Sequence, residues 1–101
     1  MKMLVVTSLK EYQEKVAEIL SQAGISVFSV TDTTGYKMVH PAPLEGGWFG
    51  YGQGKFNSVF FFSFAGDVEV EKAMALIRTC NLEKQARFPV RGFVLQVESS
   101  T

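Results

Sequence analysis

Few residues in this chain are equipped for chemistry. It has one histidine, His40, and one cysteine, Cys80, forty positions apart. Nucleophilic catalysis needs a nucleophile beside an oriented base. Cys80 falls instead on the apolar stripe of a predicted helix, so it reads as a buried structural thiol. The acidic residues lie mostly on helix surfaces; Asp32 and Glu45 are placed where they could meet, but no acid–base pair stands out. The residues therefore do not ask for an enzyme. A structural zinc site needs three or four ligands at recognisable spacing. His40 could contribute to one only if copies of the chain converged, as three would in a trimer. The glycines at 46, 47, 50, 52 and 54 suggest a phosphate loop, but Lys55 and Asn57 stand where the third glycine of G-x-G-x-x-G would fall. Gly54-Lys55-Phe56 also lacks the Ser or Thr of a Walker loop, and no glycine stands at 49.

What remains is a loop and its flanks. The segment from His40 to Phe56 holds five of the nine glycines, two of the three prolines, and Trp48, Phe49 and Tyr51. Glycine permits movement, while large aromatics supply anchors for a partner protein. Basic residues flank it: Lys37 after Gly35 and Tyr36, Lys55 at its far end, and Lys84, Arg87 and Arg91 around the last predicted strand. Gly35, Tyr36, Lys37, Lys55, Arg87 and Arg91 are the candidates for holding a phosphate or carboxylate. The competing reading has the arginines solvated or paired with Asp32, Glu45 or Glu83.

The elements that must position these residues follow from hydrophobic periodicity. Residues 2–7 (KMLVVT) read as a buried strand, and Thr7 or Ser8 as a cap for a helix over 9–23 with its apolar face at Leu9, Tyr12, Val16, Ile19, Leu20 and Ala23. Gly24 stops that helix. Residues 25–34 alternate as a strand, ended or bent at Gly35, and a loop spans 36–56. Residues 57–65 (NSVFFFSFA) read as a central strand with Phe60 to Phe64 in the core. A second helix starts near Asp67 and ends near Cys80-Asn81, and a last strand covers about 88–97. The order is βαββαβ, an α+β, ferredoxin-like sandwich: four antiparallel strands with two helices on one face and a long loop between strands 2 and 3. The other sheet face is bare and rich in Phe and Val, so an oligomer is expected.

Composition sets the remaining bounds. The 101 residues are expected to form a single domain, and an apolar share of 47% is that of a globular chain. Ten basic residues balance ten acidic ones, which gives no impetus for nucleic-acid binding. The RNA-recognition fold shares this element order. However, Lys55 to Phe62 matches its long RNP motif only at the leading Lys and the final Phe, and the first strand has no aromatic to stack a base. The apolar stretch at the start is too short for a signal-peptide core or a membrane span, and a single cysteine suits a reducing cytoplasm.

Three segments, Leu9-Lys10-Glu11-Tyr12-Gln13-Glu14-Lys15-Val16, Ala23-Gly24-Ile25-Ser26-Val27 and Val30-Thr31-Asp32-Thr33-Thr34-Gly35-Tyr36, resemble the PII-type signal-transduction superfamily. The resemblance is best over residues 2–37 and continues in element order through 57–97. It implies a homotrimer of ferredoxin-like subunits with ligand clefts between neighbours. The loop at 36–56 would correspond to the family's T-loop, which docks on a transporter, enzyme or regulator in response to a small effector. Gly35, Tyr36 and Lys37 would stand at its base, with Arg87 and Arg91 near a bound phosphate. The family's T-G-x-x-G-D-G-K-I-F segment is replaced by residues 79–86, which contain no glycine. This argues against ATP or ADP bound in the usual manner, and no cofactor is assigned. The CutA-type metal-binding trimers share the element order and offer the alternative, with His40 as ligand.

Overall fold

The computed structural model describes residues 1–38, 54–84 and 88–101. In chain order it contains β1 (Lys2–Leu9), a 3-10 turn (Lys10–Tyr12), α1 (Gln13–Gln22), β2 (Ser29–Lys37), β3 (Gly54–Ala65), α2 (Asp67–Lys84) and β4 (Arg91–Gln96). The strands form one sheet in the order β2-β3-β1-β4, every pair antiparallel. This is the ferredoxin-like sandwich expected from the sequence. The two apolar runs, β1 and β3, take the centre. The polar β2 takes an edge, where only one side of its backbone finds strand partners.

Alternation along the strands separates the two faces. Leu4, Val6 and Ser8 of β1 stand opposite Ser63, Phe61 and Val59 of β3, and all six are buried. They meet Val16, Ile19 and Leu20 of α1 and Val70, Ala73, Ile77 and Cys80 of α2 in one core. Phe61 is wholly buried, worth about 1.5–3 kcal/mol relative to exposure. The one polar side chain deep in β3, Ser63, donates its hydroxyl hydrogen to the Val27 carbonyl at 2.7 Å.

Several boundaries differ from the sequence reading. Neither Thr7 nor Ser8 caps a helix. β1 runs on to Leu9, the Ser8 hydroxyl donates to the Leu9 carbonyl, and α1 begins at Gln13 after the 3-10 turn. Gly24 adopts φ 89°, and its N–H donates to Ser21 O while Ile25 N–H donates to Leu20 O. This is a Schellman cap, closed by contact between buried Ile25 and Leu20. The cap commits residue 25 to ending α1, so β2 starts at Ser29 rather than 25, and Val27 is exposed.

Gly35 neither ends nor bends β2. It pairs with Phe56, and the hairpin continues to Lys37 opposite Gly54. The loop read over 36–56 is thus shorter at both roots. Phe60, Phe62 and Phe64 are not core. Period two sends only Phe61 of this run inward, and the other three face the bare side. α2 continues to Lys84, and β4 is confined to residues 91–96.

Candidate functional site

The helix-free sheet face is built in cross-strand rows. Phe64, Met3 and Leu95 form one; Ser29, Phe62, Val5 and Phe93 the next; Thr31, Phe60, Thr7 and Arg91 the third. The Phe60 and Phe62 rings lie 6.1 Å apart. Phe64, Phe93 and Leu95 are each about half exposed. Toward the β2–β3 hairpin the face turns polar and cationic, passing Thr33 and Ser58, then Gly35 and Phe56, then Lys37.

At that polar end lies a cleft of about 400 Å³. Lys37 from β2 and Arg91 from the start of β4 both line it, so the structure brings together two of the predicted cations that lie 54 positions apart in sequence (91 − 37). The hydroxyl residues Thr7 and Ser58 and the rings of Phe56 and Phe88 also line it, with Ser8, Leu9 and Pro89. Among the described residues no carboxylate lines it. Two cations, hydroxyls and aromatic faces suit an anion attached to an apolar or planar group.

Gly35 contributes by lacking a side chain. A Cβ there would collide with the Phe56 ring, so glycine lets that ring lie across β2. Phe56 in turn meets Phe88 with ring centroids 5.3 Å apart. Sequence reasoning passed over Phe56, Phe88 and Pro89. Their signal was an aromatic at the end of the glycine-rich loop and a second before a proline, and only the fold brings the two together.

The other candidates are placed elsewhere. Tyr36 and Lys55 are cross-strand partners on the opposite face of the hairpin, where the Lys55 ammonium sits 5.6 Å from the Tyr36 ring centroid. The extension of α2 carries Lys84 to the Tyr12 ring, 5.0 Å from the centroid. Asp32 pairs with Lys10 at 2.6 Å, and with no arginine among the described residues. His40, Trp48, Phe49, Tyr51, Glu45 and Arg87 lie outside the described residues. Among the described residues no group of three His, Cys, Asp or Glu side chains is placed to hold a metal ion. No helix of the described residues is long and apolar enough to cross a membrane. A larger cleft of about 480 Å³ runs between α2 and β4, lined by Lys2, Val70, Met74, Arg78 and Val94 among others; it contains none of the predicted site residues.

Neither a family model nor a curated protein matches the sequence. Among solved structures the chain is similar to CPII, a nitrogen regulatory PII-like protein from Thiomonas intermedia K12, in a structure bound to ADP, AMP and bicarbonate. The TM-score is 0.62 at 14% identity, covering 99% of this chain and 94% of CPII. The two proteins share a fold over almost their whole lengths. The class defined here is thus a ferredoxin-like domain with a PII-like arrangement of strands and helices.

Proposed function

We propose that this protein is a non-enzymatic, PII-like regulator. It assembles as a homotrimer through its open sheet face and binds a small anionic ligand in the cleft at the hairpin base. The loop carrying Trp48, Phe49 and Tyr51 contacts a partner protein. The observation that carries this reading is the convergence of Lys37 and Arg91 with the Phe56 and Phe88 rings at the root of that loop. An anion there sits where hairpin and loop join, so its charge acts on the segment that would dock.

The apolar rows continue directly into the cleft, so a second copy laid on the open face would stand beside the ligand. The fold shared with CPII, which was solved with ADP, AMP and bicarbonate, supports the same reading. Gly35 belongs to this cleft through the Phe56 ring. Tyr36 and Lys55 flank the loop root on the other face, and Arg87 is assigned to the phosphate side.

The test is calorimetric titration of the wild type, Lys37→Ala and Arg91→Ala with AMP, ADP and bicarbonate, with native mass spectrometry reporting the oligomer. Binding by the wild type, weakened in both variants, is expected. A wild type that binds none of the three, or variants that bind undiminished, would remove the cleft from consideration.

A further inference from the structure

One polar contact lies outside every site residue considered so far. Asn81, in the last turn of α2, donates from Nδ2 to the Val90 carbonyl at 2.8 Å and accepts the Val90 N–H on Oδ1 at 2.9 Å. A single side-chain amide thereby satisfies both backbone groups of a residue nine positions further on, as a neighbouring strand would. An asparagine at a helix end more often serves its own helix or water. Here both ends of the amide are taken by Val90, which is itself buried.

Val90 sits between Phe88 and Arg91, which line the cleft from β4 and its approach together with Pro89. Phe88 precedes it, separated only by Pro89, whose ring fixes φ and removes slack from that step. Arg91 follows it as the first residue of β4. Pinning Val90 therefore fixes Phe88 against Phe56 and Arg91 in the cleft wall. The opposite wall belongs to the β2–β3 hairpin, so the cleft keeps its shape only while the two sides stay in register.

We infer that Asn81 is a positioning residue for the anion cleft: it holds Phe88 and Arg91 against the hairpin without lining the cleft itself. This rests on the anion-cleft reading above. The sequence offers no hint of it, because Asn81 reads only as a helix-ending residue.

The experiment compares wild type with Asn81→Ala, and with Asn81→Asp, which keeps the acceptor for the Val90 N–H and loses the donor. Affinity for AMP is measured by calorimetry. NMR ring-proton contacts are followed for two pairs, Phe56–Phe88 at the cleft and Phe28–Phe61 in the core, whose centroids are 5.9 Å apart. The expected result is loss of the Phe56–Phe88 contact with Phe28–Phe61 retained, and AMP binding weakened roughly tenfold, the order seen when a residue orienting a binding group is removed. The inference is overturned if the variants keep the Phe56–Phe88 contact and wild-type affinity. It is also overturned if both ring contacts disappear together, since the amide would then be supporting the whole fold. A wild type that binds none of AMP, ADP and bicarbonate refutes the cleft reading, and the selective ring contact still decides whether Asn81 sets this corner.

Discussion

Replacing Phe93 by glutamate separates assembly from folding. Phe93 lies in the middle row of the open face, beside Val5, and is 51% exposed in the isolated chain. A phenylalanine side chain buries roughly 200 Å², so covering the exposed half removes about 100 Å² from water. At about 25 cal/mol per Å² that is about 2.5 kcal/mol per protomer. Phe64 at 55% and Leu95 at 48% add comparable amounts, so these three side chains offer about 7 kcal/mol per protomer to a covering copy. Glutamate at 93 withdraws one third of that and places a carboxylate where it must lose water without a partner.

The monomer itself loses little, because the replaced ring is half solvated and stands on an edge strand. Light scattering after size exclusion is therefore expected to show an oligomer for the wild type and a monomer for Phe93→Glu, with the far-ultraviolet circular dichroism of both the same. A wild type that is monomeric at micromolar concentration, or a variant that keeps the wild-type mass, refutes the assignment of this face as the assembly surface.

Two further outcomes follow from the hairpin. Gly35→Ala pushes the Phe56 ring out of the space above β2 and away from Phe88. The lost ring pair and the crowding together cost about 1–3 kcal/mol, seen as a lower midpoint in urea unfolding. Asp32→Ala breaks the ion pair with Lys10, but those side chains are 70% and 49% exposed. Stability in the same assay should change by less than about 1 kcal/mol, and added salt should shrink the difference.

The fold was legible because period and punctuation agree. The apolar spacing of Val16, Ile19, Leu20 and Ala23 can bury one face only as a helix, and it does. Lys37 and Arg91 were legible as cations flanking the loop, though nothing in their local sequence says that they share one cleft. Tyr36 and Lys55 illustrate the limit. As neighbours of Gly35, Lys37 and Phe56 they looked like part of one group, and strand alternation turns them to the other side of the sheet.

The four phenylalanines between 60 and 64 in β3 show the same division of labour. A run of aromatic residues dictates a strand whatever its surroundings, because such side chains fit a pleated surface. Which of them enter the core depends on which face carries the helices, and that is a property of the pairing register with β1. By itself the sequence determined the order of elements, the central place of the apolar strands, the glycine stop of α1 and the absence of a phosphate-loop motif. Only the tertiary structure decided that Phe61 alone of that aromatic run is buried, that Phe56 lies over Gly35 to meet Phe88, and that the Asn81 amide holds Val90. Each of these contacts joins residues from different elements. Local periodicity records which face a side chain takes within its own element, and the packing of the elements determines what that face meets.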